Sequence, residues 1–176
     1  MIVFRHADTR FPFLWESSDQ PAARWHERGE GPVQYLSETP DGAWAEFLRH
    51  EEITEPSDLD GIERAIWAVE VPSEEGLPEA LLGVDVVTSG PATYPECRAE
   101  ASRIRGSGSS GLSAPSAALL PASPSGWRVD GGMRPGAARD ERTLVLFGRR
   151  PDLTGWAACA SGRPRADLLA RVHHYD

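Results

Sequence analysis

ARWHERGEGPVQYLSETPDGAWAE (residues 23–46) is the stretch on which the reading of the fold turns. Arg24 and Trp25 run into a turn punctuated by Gly29 and Gly31, and Pro32-Val33-Gln34-Tyr35-Leu36 then alternates as a short strand. Thr39 followed by Pro40 has the form of a helix start, with the hydroxyl as N-cap and the proline in the first turn. That helix is expected to reach about residue 52, with Trp44, Phe47 and Leu48 on its apolar stripe. Glu46 stands two positions from Trp44, about 200° around the helix, and so lies off the stripe. Arg24, Tyr35 and Glu46 follow one another at equal intervals of eleven residues. On spacing alone the plain reading is favoured: a solvated glutamate paired with Arg49 one turn on, a strand aromatic and a surface arginine.

Outward from this block, residues 2–5 are a β-prone opening and residues 15–32 read as loop. The clearest strand is 64–71, closed by Pro72, and an acidic loop precedes it. A short helix is expected over 78–83 and a longer one over 94–105, capped by Thr93 and ended by Gly106. Residues 112–120 and 156–160 are strand candidates, and 143–147 reads as a buried strand. Residues 121–142, rich in Pro, Gly and Arg, read as loop, and the tail as a final strand or short helix. Strands and helices interleave without a regular βαβ beat, which predicts a single α+β domain over residues 1–176 rather than a doubly wound sheet.

The chain has 176 residues, enough for one domain with its own core, and a formal net charge of −9. That charge argues against general affinity for nucleic acid or an anionic membrane, both of which need a basic face. The acid is concentrated: residues 46–80 hold eleven Asp or Glu against Arg49 and Arg64 alone, while the last third is richer in arginine. One side of the molecule can therefore be acidic and the other basic enough for an anionic small molecule. All eighteen Lys-or-Arg positions are arginine, and asparagine is missing too, a pattern of G- and C-rich coding more than of function. No apolar run reaches membrane-span length. The opening MIVFRHADTR lacks the basic start and apolar stretch of an export leader, which sets the expectation of a cytoplasmic protein with Cys97 and Cys159 as two reduced thiols.

Several familiar motifs are missing. There is no G-x-x-x-x-G-K-[ST], and no G-x-G-x-x-G follows a strand. GSGSSG (106–111) sits between a helix and a strand, the wrong order for cradling phosphate, and reads as a linker turn. GLSAP (111–115) lacks the second glycine of a nucleophile elbow. No acid or cysteine has metal-ligand spacing around His173 and His174, which read as a solvated tail, so no metal is expected. His6, His26 and His50 are scattered.

The block ARWHERGEGPVQYLSETPDGAWAE, taken with GLSAPSAAL (111–119), resembles the RES-domain family, named for its arginine, glutamate and serine. The shared features are the Arg-Trp start, the glycine, the short strand ending in Tyr-Leu, the helix with Ala-x-x-Glu or Leu-Ala-Glu, and a Pro-Ser-Ala after a glycine-bounded strand. The serine falls at Ser116, with Ser113 as the lesser match. TYPECRAEASRIRGSGSSG resembles the helix and turn before that serine, so the resemblance covers most of the chain. It implies a fold like that of ADP-ribosyltransferases, with mixed β-sheets and flanking helices. It also implies a toxin of a bacterial toxin–antitoxin pair that destroys NAD by phosphorolysis or hydrolysis, or ADP-ribosylates a protein. A helix-turn-helix antitoxin would cover the active site, and assembly with it makes a homo-oligomer a candidate state. NAD would be the substrate, inorganic phosphate a candidate co-substrate, and no prosthetic group is implied.

The residue types suit that chemistry. Arg24 can hold phosphate oxygens bidentately, with Trp25 and His26 beside it in the binding turn. Tyr35 offers a ring and a hydroxyl toward the nicotinamide, and Glu46 a carboxylate to stabilise an oxocarbenium-like carbon. Ser116 supplies a positioning hydrogen bond. Two departures from the family pattern stand out: His26 where members often carry asparagine, and no Asn-Pro near Phe147. They bear on the acceptor, which is phosphate, water or protein. A third reading, from another class, is a catalytically silent binding protein on the same fold.

Overall fold

Alternating and β-branched residues form the strands where the pattern leads. β1 (Ile2–Asp8) and β2 (Val33–Ser37) precede helix α1 (Pro40–His50). β3 (Arg64–Glu70), the short α2 (Val84–Thr88) and α3 (Tyr94–Gly106) follow. β4 (Gly111–Pro115), an exposed hairpin of β5 (Trp127–Val129) and β6 (Met133–Pro135), β7 (Arg142–Phe147) and the edge strand β8 (Thr154–Gly162) complete the chain, with short 3-10 turns between. This computed structural model describes residues 1–72 and 76–175.

Six strands make one sheet in the order β4-β7-β2-β1-β3-β8, and every strand pair in it is antiparallel. A parallel element comes from outside the strands, at the bridge between Glu79 and Ser113. The fold is α+β, as the sequence predicts. Pairing within the sheet is uneven. β1 pairs with β3 along seven residues and β2 with β7 along five, but β1 meets β2 only at Phe4–Ser37. The sheet therefore forks between β1 and β2, and a deep cleft occupies the fork.

The two-residue period of the strands divides the core by face. Val33 of β2 and Val145 and Phe147 of β7 point to the side covered by α2 and α3, where they pack with Cys97, Ala101 and Ile104. Leu36, Leu144 and Leu146 alternate to the other side and meet Val3 and Val69. Each such fully buried side chain contributes roughly 1.5–3 kcal/mol. Phe47 and Leu48 of α1 form a third cluster with Leu59, Leu119 and Leu168. The register pairs Tyr35 with Val145 and Ser37 with Thr143, so Tyr35 and Thr143 share the face that opens into the cleft.

Some expectations need correction. Residues 78–83 are not helical: Ser113 N donates to Pro78 O (2.9 Å) and Ala80 N to Ser113 O (2.9 Å), so this segment lies against the edge of β4 and the helix begins at Val84. Unpaired edge groups are better satisfied that way than by a one-turn helix. Thr93 precedes α3 but does not cap it, because its hydroxyl donates to the carbonyls of Val86 (2.8 Å) and Gly90 (3.1 Å). β4 stops at Pro115, short of residue 120, and residues 121–142 contain the β5–β6 hairpin. The tail is only partly solvated: a 3-10 turn (Ala166–Arg171) leads into it, His173 N donates to Ala118 O (2.8 Å), and residues 173–175 are half-buried. Both cysteines are free thiols. Among the described residues, no helix is long and apolar enough to cross a membrane.

The start of α1 matters most for the site. Thr39 Oγ1 accepts from Gly42 N (3.0 Å), as an N-cap should, and donates to the Glu141 carboxylate (2.8 Å), which also accepts from Thr39 N (2.9 Å). An added Cβ on Gly42 would collide with that carboxylate, so only glycine fits beneath it. Burial pushes the Glu141 carboxyl up to about 7, overriding the two Thr39 bonds that favour its charged form. An unfolded glutamate titrates near ~4.3, so folding favours the protonated form. Its contribution is complete below the unfolded value and is lost as pH rises through about 7. We expect Glu141→Gln, followed by urea unfolding from pH 4 to 8, to gain on the order of 2 kcal/mol relative to the wild type across that range. A constant difference would refute the assignment.

Candidate active site

The cleft encloses about 910 Å³, a volume suited to a small organic ligand. Its wall takes residues from three parts of the chain that local spacing does not join: the 21–26 turn, α1 and the C-terminal tail.

The turn is closed by Ala23 N donating to His26 O (3.0 Å). Trp25 is 2% exposed, packs into the core and lines the cleft, while its backbone N–H donates to Tyr35 Oη (3.0 Å). His26 Nδ1 lies 3.0 Å from the same oxygen. Tyr35 Oη accepts from Trp25 and shares a second hydrogen bond with His26 Nδ1, in which either group can donate according to the histidine tautomer. Burial lowers the His26 pKa and raises that of Tyr35, so both stay neutral near pH 7. Tyr35 thus presents its ring to the cleft while its hydroxyl fastens the turn that carries Arg24.

Arg24 is 8% exposed. Its Nη2 donates to Ser89 O (2.9 Å), its guanidinium carbon sits 4.7 Å from the centre of the Tyr94 ring, and its buried Nη1 has no hydrogen-bond partner among the described residues. Glu46, half-buried on α1, lines the same cleft and accepts from Thr143 Oγ1 (3.3 Å). Burial raises its pKa, and the charges of Arg24 and Arg49 oppose that rise. The expected ion pair with Arg49 does not form. Arg49 Nη2 instead donates to the carbonyls of Thr88 (2.9 Å) and Ser89 (3.2 Å), and its guanidinium stacks on Tyr175 at 4.5 Å. Glu46 is therefore a carboxylate facing the cleft beside two buried arginines, without a salt bridge to either among the described residues.

Arg24, Trp25, His26, Tyr35 and Glu46 are thus brought together around one cleft. Ser116 is near but placed differently. It is buried behind the wall formed by Pro115 and Ala117, and its Oγ accepts from the N–H groups of Ala118 (3.1 Å) and Leu119 (3.3 Å). Ser113 lies on β4, its Oγ accepting from Arg142 Nε (2.9 Å). The sequence reading missed Arg49 as a cleft residue, along with Tyr94, Tyr175 and the pair His6–Arg64. His6 Nδ1 accepts from Arg64 Nε (3.2 Å), and burial lowers its pKa to about 3, so it is an uncharged cleft group. Only the i+3 spacing from Glu46 pointed to Arg49.

A forked antiparallel sheet with a cleft of buried arginines, aromatic rings and the Glu46 carboxylate defines a class of binding domain. Residues 2–162 match the RES domain, and the chain belongs to that family. Comparison with curated proteins returns no match.

The dual use of the Tyr35 hydroxyl is open to test. Tyr35→Phe keeps the ring but strands the buried Trp25 N–H, which costs about 1–3 kcal/mol. Thermal unfolding is expected to show a Tm lower by roughly 2–4 °C for each kcal/mol. An unchanged Tm would mean that the hydroxyl does not hold the turn.

Proposed function

We propose that this protein cleaves the nicotinamide–ribose bond of NAD, as the toxin of a toxin–antitoxin pair whose helix-turn-helix partner covers the cleft. The observation that supports this reading most is the Glu46 carboxylate, held half-buried in the cleft beside Arg24 and Arg49 yet ion-paired with neither. A carboxylate so placed is available to stabilise positive charge that develops on a bound molecule.

In this reading the guanidiniums hold the diphosphate, which leaves the ribosyl carbon toward Glu46. As the bond to nicotinamide breaks, its electron pair leaves with the ring nitrogen, and neutral nicotinamide departs. The carbon becomes oxocarbenium-like, and the carboxylate stabilises it. An oxygen of water or of inorganic phosphate then bonds to that carbon. With water the products are nicotinamide, ADP-ribose and a proton; with phosphate they are nicotinamide and a 1-phosphorylated ADP-ribose. The Tyr35 ring forms part of the nicotinamide side, and Ser116 positions its strand end from behind the wall. Transfer to a protein hydroxyl or amine is the alternative outcome.

The test is purified, partner-free protein with NAD, with and without phosphate, and the products separated by mass. Nicotinamide release is expected, and Glu46→Gln should lower kcat by ~10²-fold or more with an unchanged Tm. Mass added to a protein target with little free ADP-ribose would favour the transferase. No turnover under any condition would leave the silent binding protein. Since burial raises the Glu46 pKa and the charged form is the active one, kcat/KM should rise with pH along an acid limb displaced above the usual glutamate range. The limb should vanish in Glu46→Gln.

A further inference from the structure

The hairpin of β5 and β6 belongs neither to the six-stranded sheet nor to the cleft. Its register sets Trp127 opposite Pro135, Arg128 opposite Arg134 and Val129 opposite Met133. Opposed residues share a face and successive ones alternate. One face of the ribbon is therefore apolar, with Trp127, Val129, Met133 and Pro135, and the other carries two arginines. Both faces are bare: Trp127 is 60% exposed, Val129 86% and Met133 70%, and Arg128, Arg134 and Pro135 are exposed as well. Among the described residues the Arg128 guanidinium has no hydrogen bond or ion pair, and that of Arg134 reaches only the Asp130 carbonyl (2.9 Å). Like charges directly opposite destabilise a strand pair, and a lone two-stranded ribbon is marginal in water. Its root is nevertheless firmly mounted. Gly136 N donates to Gly126 O (2.7 Å), Ser125 N to Asp41 Oδ2 (3.1 Å) and Ala122 N to Asp140 Oδ1 (2.9 Å), while Arg171 Nη1 donates to Ser125 Oγ. A ribbon fixed at its root and bare along its length leaves an apolar patch and two charges for another surface to cover.

The complement lies elsewhere on the same chain. Residues 51–63 hold six acids, all exposed, and no base. Among the described residues only one of them, Asp60, is ion-paired. Within this stretch the 3-10 turn Pro56–Leu59 borders a surface hollow of about 310 Å³, whose apolar lining is Pro56, Leu59, Pro164 and Ala166. Arg163 and Arg165 at the same hollow are already paired, with Asp60 and Asp167.

We infer that the protein forms a two-fold dimer in which the β5–β6 ribbon of each copy docks on the hollow beside residues 51–63 of the other. The apolar face covers the hollow. The arginine side chains are long enough to bend round a ribbon two strands wide and meet the acids at the rim. Each copy gives one arm and receives one, so the contact is made twice and closes on itself. Nucleic acid and anionic lipid would also offer negative charge, but the net charge of −9 opposes both. The inference is independent of the reaction proposed above.

The test is the mass of the full chain in solution, by sedimentation equilibrium at low and high salt. A dimer is expected that loosens as salt rises. Trp127→Ser should weaken it roughly tenfold or more, as should Arg128→Glu combined with Arg134→Glu. Glu55→Arg combined with Asp58→Arg should do the same from the receiving side. All these positions are exposed, so circular dichroism of each variant is expected to match the wild type. A mixture of Trp127→Ser with the Glu55→Arg, Asp58→Arg variant retains one intact arm and one intact hollow, and should associate more tightly than either variant alone. A wild type that stays monomeric would overturn the inference, as would a dimer that the arm variants leave intact. Charge reversal at Glu55 and Asp58 without effect, or a mixture no heavier than its components, would place the arm on another surface and overturn it too. Open chains longer than a dimer would show that the contacts do not close. Binding of a monomeric wild type to vesicles of anionic lipid, lost with Arg128→Glu and Arg134→Glu, would make the ribbon a membrane contact instead.

Discussion

β1 and β2 are neighbours in the sheet that touch at one residue pair, Phe4–Ser37. Past that point each strand exposes backbone groups that must find partners, because buried N–H and C=O groups are rarely left unpaired. Two glutamine side chains join loop and strand there, Gln20 from the loop and Gln34 from β2. Val33 N donates to Gln20 Oε1 (2.8 Å), Gln34 Nε2 to Trp15 O (2.7 Å) and Trp15 N to Gln34 Oε1 (3.3 Å). Residues 15–32, loop by composition, are in this way fastened to the fork. Without the fork there would be no cleft, and the glutamines hold the loop that leads to Arg24 against it.

The second support is the start of α1. Thr39 caps the helix and is itself held by Glu141, about a hundred residues on in sequence. Glu46 lies less than two turns along that helix. The position of the reactive carboxylate is therefore tied to β7 twice, through Glu141 at the helix start and through Thr143 at Glu46 itself. The arrangement buries one acid on the helix, Glu46, and one against its start, Glu141, and each holds its proton more tightly than a free glutamate as a result.

What the sequence revealed was mostly local. β2 followed from alternation, β3 and β7 from β-prone and apolar runs, and the Thr39-Pro40 start of α1 from capping chemistry alone. Arg24, Tyr35 and Glu46 became a candidate site through family resemblance, since their spacing favoured the plainer reading. The ion pair between Glu46 and Arg49 looked reasonable at one helical turn, but tertiary carbonyls at Thr88 and Ser89 took the arginine instead. Tyr175 was out of reach because it meets Arg49 only after the whole sheet has formed. The helix expected over 78–83 lost to an open strand edge, a competitor that propensity does not register.

The Trp25 N–H and His26 share the Tyr35 hydroxyl, and the two side chains of that linkage carry no charge near pH 7. Burial lowers the pKa of His26 and raises that of Tyr35, whereas it raises those of the cleft carboxyl of Glu46 and of Glu141. The proton inventory of the cleft thus divides in two. A clasp that is uncharged near pH 7 sets where the arginine stands, and the carboxylates with raised pKa sit on α1 and against its start. The protein can register acidity in the charge of its cleft without moving the frame that holds a ligand.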